Sequence, residues 1–161
     1  MGAKTDDGSI HDKDNEYKWS ANLPGGGYTS KPDGSAFTDF VATLNGFEDG
    51  ECFASTCDWR IPTLDELVSI NDLTAPGCDD SDFSAPCTTI PGEVGGADSP
   101  DRGRFELYWA SNTFPGESIY ALANRFIGFA ANGSSGQFGK PKDWAMYVRA
   151  VRGVGSVGEL D

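Results

Sequence analysis

Apolar residues first fall into a helical rhythm between positions 36 and 46. Phe37, Phe40, Val41 and Leu44 stand at i, i+3, i+4 and i+7, one face of a helix that packs on a sheet. Asp33 or Ser35 is placed to cap its start, and Asn45-Gly46 to close its end. A second helix follows Pro62. Thr63-x-x-Glu66 is a capping box: the threonine oxygen takes a backbone N–H of the first turn and Glu66 reaches back. Leu64, Leu67 and Val68 form its buried stripe, which runs out near Asn71. Downstream the rhythm changes to strands, over Phe105 to Ser111, Ile119 to Ala130 and Trp144 to Arg152. In the last, Trp144, Met146, Val148 and Ala150 alternate with Ala145, Tyr147, Arg149 and Val151, and Asn132-Gly133 marks a turn before it. Between helices and strands, residues 72–104 show little periodicity. A structureless loop of that length is uncommon in a compact domain and is often functional. The opening is polar: Gly8 to Asp12 reads as a short strand and turn, Trp19 is the first large apolar anchor, and Leu23-Pro24-Gly25-Gly26-Gly27 is a loop.

No internal repeat and no linker interrupts this order, and 161 residues suit one domain. The domain is placed at 6–153, with residues 1–5 and 154–161 as flexible ends. Apolar residues at 38% and aromatics at 12% argue against a disordered chain, while 21 glycines and 9 prolines favour short elements and loops. The class is therefore α+β. A net charge of −13 would repel a nucleic-acid duplex or an anionic membrane surface, so neither is expected as a partner. There is no run of 18 apolar residues to span a membrane.

The four cysteines, Cys52, Cys57, Cys78 and Cys87, fall into two close pairs. In an exported chain this predicts two local disulfides, Cys52–Cys57 and Cys78–Cys87. Zinc would need closer spacings and more histidine than the single His11, and redox catalysis ordinarily uses C-x-x-C. No apolar leader follows Met1-Gly2-Ala3, so the expectation is an exported chain whose leader has been removed.

Three phrases then stand out together: Cys57-Asp58-Trp59-Arg60-Ile61-Pro62-Thr63-Leu64-Asp65-Glu66-Leu67, Tyr108-Trp109-Ala110-Ser111, and Tyr147-Val148-Arg149-Ala150-Val151-Arg152-Gly153. In this order they resemble the domain family named for the C-terminus of the Legionella collagen-like adhesin, whose pattern is "dWRLPT-x-x-EL", then "yWSS", then "yVRxVR". The entry segment Asp6 to Trp19 is similar too, although Glu16-Tyr17-Lys18-Trp19 replaces the usual Gly-Leu-x-Trp. The resemblance implies a C-type-lectin-like fold, with two helices flanking twisted antiparallel sheets, long loops and paired N- and C-terminal strands. It also implies an exported bacterial surface protein. The named adhesin binds sulfated glycosaminoglycans. Physically the motif residues read as framework. Trp59 and Trp109 are apolar bodies whose indole N–H seeks a carbonyl, and Arg60, Arg149 and Arg152 need carboxylate or carbonyl partners, with Asp58 or Glu66 at hand.

Catalytic constellations are thin. His11 lies in a polar terminal segment, no Ser-His-Asp or Cys-His arrangement is credible, and there is no phosphate loop. Formylglycine-generating enzymes share the broader fold class, but the cysteines that their chemistry needs are assigned here to staples. Calcium is the one cofactor kept open, because Asp79, Asp80 and Asp82 offer hard oxygens, although they lack the spacing of known loops. The strongest binding signal is charge segregation. Residues 120–152 carry five cations, Arg125, Lys140, Lys142, Arg149 and Arg152, against one acid, Asp143. With Tyr120, Asn124, Asn132, Gln137 and Trp144 they make the mixture of amides, rings and cations that a glycan site uses. Ligand contact is accordingly expected at Tyr120, Asn124, Arg125, Asn132, Gln137, Lys140, Lys142, Asp143 and Trp144. The expected function is a non-enzymatic extracellular adhesion or ligand-binding module for a glycan or protein. The alternatives are a structural domain that forms homo-oligomers and, third, an enzyme.

Overall fold

The computed structural model describes residues 8–10, 12, 15–46, 50–69, 107–125 and 137–153. Their centre is a three-stranded antiparallel sheet in the order β3 (Leu107–Thr113), β4 (Tyr120–Arg125), β5 (Gln137–Pro141). Two small antiparallel pairs join it: β1 (Tyr17–Lys18) with β6 (Ala145–Met146), and β2 (Trp59–Arg60) with β7 (Val151–Arg152). Among the described residues there are two longer helical segments and a single 3-10 turn, Phe53–Ser55, so the chain is α+β. No described helix is long and apolar enough to cross a membrane.

Each face of the sheet carries its own core. Trp109 and Leu107 of β3, with Ala121 and Ala123 of β4, pack against Tyr17, Trp19, Phe40 and Leu44. On the other face, Tyr108 and Ala110 meet Leu67 of α2 (Leu64–Ser69), with Leu64, Leu122 and Tyr147 at the border. Burial of large apolar side chains contributes about 1.5–3 kcal/mol each, which makes these two clusters the main source of stability. Two reciprocal hydrogen bonds lock the first cluster. Trp19 Nε1 donates to the Ala110 carbonyl, and Trp109 Nε1 donates to the Tyr17 carbonyl, each at 2.9 Å. Each ring is thereby buried without stranding its one donor.

The first helical segment has the predicted apolar face: Phe40 and Leu44 are buried, and Phe37 and Val41 pack beside them. Its geometry and start differ from expectation. Residues Ala36–Val41 form a π-helical stretch that passes into the α-helical turn α1 (Ala42–Leu44). Neither candidate side chain caps it. Ser35 Oγ accepts from the Lys18 amide, and the Asp33 carboxylate accepts from the Ala21 amide and the Thr29 hydroxyl. Both oxygens are recruited by the neighbouring loop, and those donors hold the Asp33 carboxyl below its ordinary range. At the other end Gly46 has φ +72°, the left-handed closure that Asn45-Gly46 predicted.

The capping box at Thr63 and Glu66 forms as expected. Glu66 Oε2 accepts from the Thr63 amide at 2.8 Å, and the Glu66 amide donates to Thr63 Oγ1 at 3.3 Å. Asn112 Oδ1, from β3, accepts from the Leu64 amide at 2.8 Å and adds a cap from outside the helix. The predicted strand Trp144 to Arg152 is not continuous. Its two ends, β6 and β7, pair with different partners, and Tyr147 between them forms a parallel bridge to Tyr108. Cys52–Cys57 is a disulfide with Cα atoms 5.1 Å apart. Cys78 and Cys87, Asp79, Asp80 and Asp82, and the expected end of α2 lie outside the described residues.

Candidate functional site

The three phrases noted in the sequence converge. Trp59 pairs with Arg152 and Arg60 with Val151, while the Ser111 amide donates to the Pro62 carbonyl and Tyr108 bridges Tyr147. Arg60 ties this junction together. Its Nε donates to the Gly153 carbonyl, and its Nη1 and Nη2 form a bidentate pair with Glu66 at 2.7 and 2.6 Å. That pair holds the Glu66 carboxyl down at about 2. Trp59 Nε1 donates to the Phe53 carbonyl, and the Asp58 carboxylate accepts from the Gly153 amide. Arg149 is buried, with its guanidinium 5.0 Å from the centre of the Tyr108 ring. Arg152 is exposed and donates to Thr56 Oγ1 at 3.4 Å. The polar groups of this region thus serve the framework.

The end of the sheet near residue 140 is built differently. In the β4–β5 register Ala123 faces Phe138 and Ala121 faces Lys140, so Phe138 and Lys140 share one side of the edge strand. After Pro141 the chain turns, closed by the Trp144 amide donating to the Pro141 carbonyl, and this sets the indole of Trp144 beside Lys140. Lys140 Nζ lies 5.4 Å from the centre of the Phe138 ring and 5.5 Å from that of Trp144. Phe138 is 36% and Trp144 48% exposed, whereas Trp19, Trp59 and Trp109 are buried. Phe114 packs on the opposite side of β5, where a side chain at position 139 would meet its ring at 2.6 Å, so Gly139 lets that ring lie against the strand. Ile119, exposed just before β4, accepts from the Tyr28 hydroxyl through its carbonyl. Burial and the nearby Asp143 carboxylate raise the Tyr28 phenol above its ordinary range.

Two predicted contact residues turn inward. Lys142 is buried: its Nζ donates to the Ser30 carbonyl at 2.8 Å and to Thr113 Oγ1 at 3.0 Å, and lies 3.9 Å from the centre of the Trp19 ring. Ser30 presents that carbonyl from a left-handed backbone, φ +62°. Burial lowers the Lys142 ammonium to about 8. Asn124 is buried as well, because it lies in register with Tyr108 and Gln137, on the side opposite Ala123. Tyr120 and Asp143 are half-buried near the exposed rings. Arg125 and Gln137 are placed by their backbones at the ends of β4 and β5, and Asn132 lies outside the described residues. Sequence reasoning missed Phe138 and Phe114. The i, i+2 spacing of Phe138 and Lys140 before Pro141 was the available signal.

Comparison with protein-family models, curated proteins and solved structures finds no match to the chain.

Proposed function

We propose that the chain is a non-enzymatic, extracellular ligand-binding module of C-type-lectin-like build, whose ligand is held by Phe138, Lys140 and Trp144. The observation that carries this reading is the exposed pair of rings with an ammonium between them. Large exposed aromatics on an otherwise well-buried set mark interaction sites, since burying them elsewhere would add stability. The build is supported by the meeting of the three phrases, by antiparallel pairing of chain segments far apart in sequence, and by the late loops forming the candidate face. The extracellular reading is supported by the Cys52–Cys57 disulfide, a bond that persists in oxidising compartments. A glycan array probed with the wild type and with Phe138→Ala/Trp144→Ala, each with and without calcium, tests it. Binding confined to the wild type is expected. Equal binding by the double variant would move the site off this face.

A further inference from the structure

Which ligand suits the face follows from how few charges it holds. Of the five late cations, Lys142 and Arg149 are buried, Arg152 lies at the β2–β7 pair with Thr56, and Arg125 has its backbone opposite Leu107, four residues along β4 from the Ala121 that faces Lys140. Lys140 therefore provides the one described cationic head between the two exposed rings. Asp143 is three residues along the same turn, and the chain carries −13 overall. A second anionic group on a ligand would meet that carboxylate and a repulsive field that salt screens only beyond about 8 Å.

The edge of β5 also bears on the partner. An added strand from a protein would have to pair along Gln137–Pro141, where Lys140 and the donor-less Pro141 blunt the edge. Flat rings instead suit a ligand with a broad C–H face. The hydrogens of a pyranose carry slight positive charge and the ring face is negative, the same quadrupole that attracts a cation. An acid on a sugar stacked over either ring would come within reach of Lys140 Nζ without displacing it from the rings.

We propose that this face takes a sugar carrying a single carboxylate, of the uronic-acid class, with its C–H face on Trp144 and Phe138 and its carboxylate on Lys140. The proposal rests on the reading of the face as a ligand site. The test titrates the whole chain with a glucuronate-terminated disaccharide, the uncharged glucose-terminated counterpart and a polysulfated heparin oligosaccharide, at low and high salt. At low salt the acidic disaccharide should bind about two- to fivefold more tightly than the neutral one, the range of a partly exposed ion pair. That preference should vanish at high salt and in Lys140→Gln, and Trp144→Ala should weaken both sugars. Heparin should bind no more tightly than the acidic disaccharide. Equal affinity for acidic and neutral sugars, a preference that survives Lys140→Gln, or tightest binding to heparin would overturn the ligand class while leaving the face in place. Sugar binding unchanged by Trp144→Ala and Phe138→Ala would overturn the face itself, and absence of binding to all three probes would overturn both. Near-ultraviolet circular dichroism from the buried tryptophans checks that each variant is folded.

Discussion

The β2–β7 junction and the Phe138–Trp144 face use the same materials, indole rings and long cations, to opposite ends. At the junction Trp59 is buried, its N–H is given to the Phe53 carbonyl, and each of the three Arg60 guanidinium nitrogens donates, to Glu66, Ile61 or Gly153. At the face Trp144 stands half in water and Lys140 rests against two rings. Lys140 and Lys142 compress the contrast into two residues of one strand end, since the second sends its ammonium through the interior to Ser30 and Thr113. Residue type therefore says little about role here. What separates the regions is whether the opposing layer supplies carbonyls and carboxylates within reach.

Truncating one ring from each region should break the symmetry most plainly. Trp109→Ala removes a fully buried ring and its bond to the Tyr17 carbonyl, and should cost about 3–5 kcal/mol. Trp144→Ala should change stability by no more than about 0.5 kcal/mol, because the ring is half exposed. Denaturant midpoints measure both. A large loss from Trp144→Ala would make that ring framework and remove the contrast.

The two lysines should separate next, under alkali. The Lys142 ammonium is lowered to about 8 in the folded chain from 10.5, so between those values the unfolded chain binds more protons and stability rises with pH. Relative to Lys142→Met, the wild type should gain on the order of 2 kcal/mol from pH 8 to 10.5, reduced by the Ser30 carbonyl and the Trp19 face, which favour the charged form. A pH-independent difference between the two proteins would mean that Lys142 titrates as an ordinary surface amine. Reduction and alkylation of Cys52 and Cys57 should cost about 2 kcal/mol, the loop-closure term for so short a ring. Hydrogen exchange should then rise first at Val151–Arg152, because Trp59 and Thr56 beside the disulfide hold that strand.

The junction has its own acid limit. Glu66 is held at about 2 against an ordinary 4.5, so its contribution is fully present above pH 4.5 and is lost as pH falls toward 2. Its carboxylate is more than a third exposed, and solvent screening discounts the full shift to about 1–2 kcal/mol. Glu66→Gln should flatten that part of the acid stability profile when midpoints are followed by tryptophan fluorescence. An unchanged profile would show that the Arg60 pair carries no net stability.

Local chemistry made part of this legible in the sequence. The capping box, the Gly46 closure and the apolar face of Phe37, Phe40, Val41 and Leu44 each depend on residues within a few positions of one another, and each is present. The close cysteine pair is local in the same sense. The inward turn of Lys142 depends on Trp19, Ser30 and Thr113, which no spacing rule connects to it. Asn124 was expected at the ligand face by its residue type, which could not say that its side of the sheet is the one on which the helix α2 packs. The uncapped start of the first helix fails for the same reason. Asp33 and Ser35 are good caps, but the backbone of 18–21 lies closer to their oxygens than the helix does. The candidate face lies in the segment that its charge singled out in the sequence, while the exposure of Phe138 beside Trp144 became visible only once the edge strand was in place.

The smallest effect tests how a cap shared between local and distant donors divides its energy. Thr63 Oγ1 accepts from the Glu66 amide at 3.3 Å, long for such a bond, while Asn112 Oδ1 accepts from the Leu64 amide at 2.8 Å and Glu66 Oε2 from the Thr63 amide at 2.8 Å. An isolated cap is worth about 1 kcal/mol, but the two bonds lost in Thr63→Ala, from the Glu66 amide at 3.3 Å and to Glu66 Oε2 at 3.2 Å, are both long. The backbone amide of position 63 survives the substitution and still meets Glu66. The expected cost is therefore about 0.5 kcal/mol, read from urea midpoints. Asn112→Ala should cost as much or more, since it leaves the Leu64 amide without its cap at a part-buried helix start. A Thr63→Ala loss well above that of Asn112→Ala would return the helix start to its own sequence and make β3 a bystander.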